Sequence, residues 1–177
     1  AVDERGRVWV CEVNNYRLWR NKEVDEIIEG DRILILEDTD GDGKADSRKV
    51  FYQGQDINGA LGIAVFGNKV IVSISPNVFV FTDEDGDDIP DHKDTRLTQI
   101  EGVDHDHGMH AFNFGPDGKY YFNFGNEGKQ LIYKDGSPVL DQIGQPIRTS
   151  NSPYKQGLAF RCDPDGTNVE VLGNNFR

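Results

Sequence analysis

Two short acidic stretches hold the residue types and spacing best suited to chemistry. In DTDGDGKAD, Asp38, Asp40, Asp42 and Asp46 fall at positions 1, 3, 5 and 9 of an EF-hand-type loop, and Lys44 at position 7 offers its backbone carbonyl. Alternate side chains then converge on one centre, while Gly43 at position 6 lets the backbone turn sharply around it. DEDGDDIPD repeats the arrangement with Asp83, Asp85, Asp87, Asp91 and the Ile89 carbonyl, but places Asp88 at position 6, where an Asp tolerates the left-handed region. Crowded carboxylates repel one another until a cation neutralises them, so the expectation is two structural calcium sites. Position 12 is Lys49 or Asp94 rather than the bidentate Glu, so a helix–loop–helix hand is not expected. The competing reading is a pair of solvated Asp/Gly turns, which would not need a carboxylate at every other residue.

A second cluster is GVDHDHGMHAFNFGPDGKYYFNFGNEG, Gly102 to Gly128, with His105, His107 and His110 just before an aromatic hairpin. His105 and His107 form an H-x-H pair, but a third metal ligand at suitable spacing is missing. A hydrogen-bonded D-H-D-H turn and a loop-borne catalytic base are the other readings. Phe112 and Phe114 share one strand face, and Tyr120, Phe122 and Phe124 share a face of the next, which reads as core.

The elements that must position these residues are strands. Apolar stretches are interrupted about every ten residues by Gly, Asp, Asn and Pro, with turn signals at Asp3–Gly6, Phe66–Asn68, Gly115–Gly118 and Asp163–Gly166. Helical periodicity is weak outside a turn at Lys22–Ile28. RILILEDTDGDGKADSRKVF from Arg32 resembles NVFVFTDEDGDDIPDHKDTRL from Asn77, and their first aspartates are 83 − 38 = 45 residues apart. That period suits propeller blades of roughly 40–50 residues, about three to four of them in this length. The expected fold is all-β, with residues 1–177 a single region of a larger, here partial, β-propeller. A β-sandwich carrying two calcium loops is the alternative.

The chain has 177 residues, 36% hydrophobic, with 31 acidic against 19 basic residues and a net charge of −12. That excludes disorder, makes nucleic acid an unfavourable partner and favours cations. No run approaches the roughly 18 apolar residues of a membrane span, and AVDERGRVWV lacks signal-peptide features. Cys11 and Cys162 define no disulfide framework, and both a pair and two free thiols are compatible with the sequence.

HGMHAFNFGPDGKYYFNFGNEG resembles a stretch of soluble quinoprotein glucose dehydrogenases and related sorbosone-dehydrogenase-like propellers. GDRILILEDTDGDGKAD and GPDGKYYFNFGN are also similar to segments in the propeller domain of membrane-bound dehydrogenases often fused to c-type haem domains. The resemblance implies pyrroloquinoline quinone (PQQ) as hydride acceptor and His107 as the base that takes the proton of a sugar or alcohol hydroxyl. It implies Arg177, in the terminal GNNFR, as a quinone contact. It further implies a periplasmic or extracellular setting, and further blades or a c-type cytochrome as partner. The alternative is a non-catalytic, calcium-stabilised propeller acting as a binding or assembly module.

Overall fold

The computed structural model describes residues 1–15, 25, 28–98, 108–125, 130–148, 154–155 and 157–176. Among them the chain is all-β, apart from one 3-10 turn at Gln55–Ile57, in three antiparallel sheets, none of which closes on itself. The first contains β1 (Val8–Glu12), β2 (Asp31–Glu37) and β3 (Ser47–Gly54). The second runs from β4 (Gly62–Phe66) through β5 (Lys69–Ile74) and β6 (Asn77–Thr82) to β7 (His92–Thr98). The third contains β8 (Met109–Phe114), β9 (Tyr120–Phe124), β11 (Leu158–Cys162) and β12 (Glu170–Gly173). Between β9 and β11 the chain sends out β10 (Ile132–Tyr133), which pairs with Leu97 and Thr98 of β7 and so ties the third sheet's connection to the second sheet.

Each sheet is built by hairpins whose turns the sequence announces. Gly6, Gly118 and Gly166 close theirs by donating to the carbonyls of Asp3, Gly115 and Asp163 at 3.0, 3.0 and 2.8 Å. Residues 1 and 2 stand beside β1 as β4 stands beside β5, through a Val2–Val8 bridge and a Trp9 N–H to Ala1 carbonyl bond of 2.8 Å. The first strands of the second and third sheets, β4 and β8, lie against each other, and β1 also touches β4. Ala1, Val2, Ala64, Phe66, Phe112 and Phe114 line a cavity of about 340 Å³ where these strands meet.

Alternation sorts the side chains into two interfaces. Trp9, Ile33, Ile35 and Phe51 of the first sheet pack with Val70, Val72, Phe79 and Phe81 of the second. The opposite face of the second sheet, with Ile71, Val78, Val80 and Leu97, packs with Tyr120, Phe122, Phe124 and Phe160 of the third. One extra residue bulges from the last strand of each sheet: Phe51 opposite the Ile33–Leu34 step, Arg96 opposite Val78–Phe79, and Leu172 opposite Ala159–Phe160. Aligned on these bulges, Val8, Val10, Leu34 and Leu36 of the first sheet correspond to the residues with which the second packs on the first and the third on the second. They form the first sheet's outward face and belong to neither core cluster; Val8 is 43% exposed, Val10 and Leu36 are half-buried, and Leu34 is buried.

Phe81 is fully buried against Phe51 and Tyr52, with ring centroids 6.2 and 4.6 Å away. Phe81→Ala is expected to cost about 3–5 kcal/mol in urea unfolding, whereas Val8→Ala on the outward face should cost less than about 1 kcal/mol. Equal costs would show that the outward face is as well covered as the junction.

Candidate functional site

The acidic loops are the β2–β3 and β6–β7 connections, and the same hydrogen bonds build both. Asp46 N–H closes the first on the Glu37 carbonyl at 3.0 Å, and Asp91 N–H closes the second on the Thr82 carbonyl at 2.9 Å. The Asp38 carboxylate accepts N–H groups from Gly41 and Gly43 at 2.7 and 2.8 Å, and Asp83 accepts those of Gly86 and Asp88 at 2.8 and 2.9 Å. Lys44 and Ile89 donate their N–H groups to Asp42 and Asp87, each at 2.8 Å. The result brings Asp38, Asp40 and Asp42 together, and likewise Asp83, Asp85 and Asp87, with one ligand atom from each lying within 4.8 Å of the others. Asp46 turns back to accept both the hydroxyl and the N–H of Thr39 at 2.9 and 3.2 Å, and Asp91 accepts the Glu84 N–H at 2.6 Å.

These donors suit a hard cation. Three carboxylates in reach of one point supply anionic oxygen without sulfur or imidazole, and the backbone N–H groups hold their orientations. The Gly43 N–H, helped by those of Gly41 and Asp42, holds the Asp38 carboxyl below the usual carboxylate range against a smaller opposing effect of desolvation. Asp38 is therefore ionised, as a ligand must be. Asp38, Asp40 and Asp42 could hold one metal ion and Asp83, Asp85 and Asp87 another.

The two loops differ at position 6. Gly43 has φ +88° in the first, and Asp88 takes φ +63° in the second. The Asp88 carboxylate explains that exception. Arg7, which is buried, donates to both of its oxygens at 2.9 and 3.0 Å, Arg5 donates at 3.1 Å, and Lys49 Nζ stands 3.4 Å away. Lys49 also donates to the Asp87 carbonyl. Arg7 is held from its other side by Asp3 at 2.8 Å, and Asp3 accepts the Trp9 indole N–H at 2.9 Å. The cations come from the first sheet and its entering turn, so the loop of the second sheet is fastened to its neighbour. Burial alone would push the Asp88 carboxyl up, but the hydrogen bond and charge of Arg7, with Lys49, outweigh it and hold it low.

A third loop, Asp163–Gly166 between β11 and β12, occupies the corresponding place in the third sheet. Its acids have side-chain partners: Asp163 pairs with Lys119 and accepts from Asn168 at 2.6 Å, and Asp165 accepts from the Thr167 hydroxyl at 2.6 Å. Arg96 of β7 reaches the Asp165 carbonyl at 3.2 Å, a cation joining the second sheet to the third. The sequence signal for this third repeat was an Asp directly after an apolar strand, as at Asp38 and Asp83. Asp88 was legible as a departure from Gly, but its partners in the first sheet were not.

His105, His107 and Arg177 lie outside the described residues, as does most of the turn expected at Lys22–Ile28. His110 lies in β8, in register with Asn123 of β9. Tyr120, Phe122 and Phe124 are buried, as their shared face requires, while Phe114 remains partly exposed and stacks on Phe66 of β4 at 4.1 Å. Cys11 and Cys162 are both free, and burial pushes their thiols up to about 11 and about 12. Among the described residues no helix is long and apolar enough to cross a membrane.

The class defined by this geometry is an all-β protein of stacked antiparallel sheets with acidic loops at equivalent places. The chain belongs to the family described as a domain of unknown function, DUF7133, which it matches over residues 1–171. No curated protein and no solved structure matches it.

The Asp88 network predicts a pH dependence. The folded carboxyl lies below its ordinary value of 3.8, so its contribution is complete above that value and is lost as pH falls through the folded value. Asp88→Asn should cost about 1.5–3 kcal/mol near neutrality. In urea unfolding across pH, the gap to wild type should narrow below 3.8. A gap independent of pH would show that the ionised carboxylate is not what joins the sheets.

Proposed function

We propose that this chain is part of a calcium-stabilised β-propeller, its sheets successive blades, its two acidic loops structural calcium sites, and its role that of a binding or assembly scaffold. The observation that carries the reading is the shared wiring of the two loops, which converges three carboxylates at the same place in consecutive sheets. The Lys44 and Ile89 carbonyls, with Asp46 and Asp91, would complete the oxygen ligands. The blade assignment is supported by the repeated sheet-on-sheet packing, the repeated bulges and the contact of β4 with both β1 and β8. The apolar outward face of the first sheet suits a further blade packed there.

A second reading is a PQQ-dependent oxidation of a sugar or alcohol outside the cytoplasm, with electrons passing to a c-type cytochrome. It rests on the resemblance around His107 and Arg177. One observation favours it. β8 begins at Met109, and that end of the strand lies opposite the acidic loops. β1 and β2, and β9 and β11, are also connected from that end of their strands, which suits a site separate from the structural ions. In this reading His107 would take the hydroxyl proton and the quinone, when bound, would accept hydride.

Chelation tests the scaffold. An ion present at a hundredfold excess over its Kd contributes about 2.7 kcal/mol, so a chelator should lower Tm by roughly 5–10 °C per site. Asp38→Asn with Asp42→Asn should remove the share belonging to the first loop. An unchanged melting curve would return both loops to ordinary turns. For the second reading, added PQQ and calcium should support dye reduction with a sugar panel, and His107→Ala should abolish it. No quinone binding and no dye reduction would leave the scaffold alone.

A further inference from the structure

We propose that a cavity under Phe176, at the end of the third sheet opposite the acidic loops, takes an extended segment of a partner protein. The Asn123 carboxamide would engage the N–H and C=O of one residue of that segment, and an apolar side chain would lie against Phe176. The inference rests on the scaffold reading and names what the scaffold binds, but it requires no bound ion. Asn123, Leu158, Ala159 and Phe176 line a cavity of about 450 Å³ where β9 ends and β11 begins. None of its lining side chains is charged. The Asn123 carboxamide oxygen is buried and accepts no hydrogen bond. Phe176 is held in place: its N–H donates to the Gly157 carbonyl at 3.2 Å, and a Cβ on Gly173 would come within 2.6 Å of its ring. Beside it, the Lys155 N–H donates to Asn174 Oδ1 at 3.3 Å. The ring is nevertheless 68% exposed.

The lining selects the ligand. A buried acceptor without a partner is unfavourable until a donor reaches it, and a carboxamide carries donors beside its acceptor. In an extended chain the N–H and C=O of one residue point to the same side, so one carboxamide can engage both. A charged ligand would find no counter-charge here, and a sugar would leave most of its hydroxyls unpaired against Phe176, Leu158 and Ala159. The space suffices, since a cavity of about 150 Å³ already holds benzene. The stack also shows how a residue placed like Phe176 is covered. Ile57 follows Gly54, the last residue of β3, by three positions, as Phe176 follows Gly173, the last residue of β12. Ile57 is 1% exposed, inside the core where the second sheet packs on the first. Extended chain laid over Phe176 would give it the same cover.

Titration of the full chain with N-acetyl-leucine methylamide, which presents one residue's N–H, C=O and side chain, tests the cavity by NMR at the Asn123 side-chain amide and the Phe176 ring. Saturable shifts of both are expected, with N-acetyl-glycine methylamide binding about tenfold more weakly for want of the buried side chain. Asn123→Ala, read at the Phe176 ring, should weaken the leucine compound about fivefold. Ala159→Leu, which fills the cavity from its floor, should abolish binding. Phe176→Ala, which serves if the leucine variant does not fold, should weaken binding about tenfold and move Tm by no more than about 2 °C. Shifts that do not saturate, equal affinity for the two compounds, or undiminished binding in Phe176→Ala overturn the proposal. Saturable shifts with glucose and none with the leucine compound overturn it in favour of a sugar. Each of these results leaves the chelation test, and with it the scaffold reading, standing. Binding of the leucine compound by a chain whose melting ignores chelator would overturn the calcium scaffold and keep the peptide cavity.

Discussion

The middle sheet buries both of its faces, and the rest of the structure follows from the need to cover them. β5 and β6 run KVIVSI and NVFVFT, with apolar residues on successive positions rather than on alternate ones. Period-2 geometry sends Val70, Val72, Phe79 and Phe81 to one side and Ile71, Val78 and Val80 to the other. Left in water, either face would forgo the burial that offsets the entropy of ordering the chain. The first sheet supplies Trp9, Ile33, Ile35 and Phe51 to one side, and the third supplies an aromatic ladder to the other.

Once the stack is set, chemistry is confined to its ends and seams. Acidic loops cannot enter the cores, so they sit at the hairpin end, where the Asp83 N–H bonds to the Asn68 carbonyl of the neighbouring turn at 3.0 Å. At the other end, the buried Asp31 carboxylate accepts N–H groups from Asn14, Asn15 and Gly59 at 3.0, 2.8 and 2.8 Å, which pins the start of β2 to two connections. The seams carry cations. Lys49 and Arg7 meet the second sheet's loop, and Arg96 meets the third sheet's. A buried arginine such as Arg7 is tolerable because Asp3 and Asp88 occupy its fork from two sides.

The outward faces are unequal. The third sheet's outward positions hold Tyr121, Ala159 and Arg161, where the second has Ile71, Val78 and Val80. Arg161 is engaged by Glu170 at 2.6 Å and Asp117 at 2.9 Å. The first sheet instead turns Val8, Val10, Leu34 and Leu36 outward. The first sheet's outward positions are therefore apolar, whereas the corresponding positions of the third include Tyr121 and Arg161.

Much of this was legible in short-range pattern. The strands, the Gly-bearing hairpin turns, the aromatic core face and the alternating carboxylates are local, because side-chain direction in a strand and loop wrapping depend on neighbours a few residues apart. The 45-residue spacing of the first two loops was legible for the same reason. The third repeat was hidden, because the connection from Phe124 to Leu158 displaces Asp163 from the period. By itself the sequence determined the all-β class, the hairpins and the alternating carboxylates at Asp38–Asp46 and Asp83–Asp91. Only the tertiary structure decided that Asp88 belongs to Arg7, 81 residues away, that β10 joins the second sheet, and which apolar face is left outward. Those pairings depend on how whole sheets stack, and side-chain type along one strand carries no record of which strand will lie opposite.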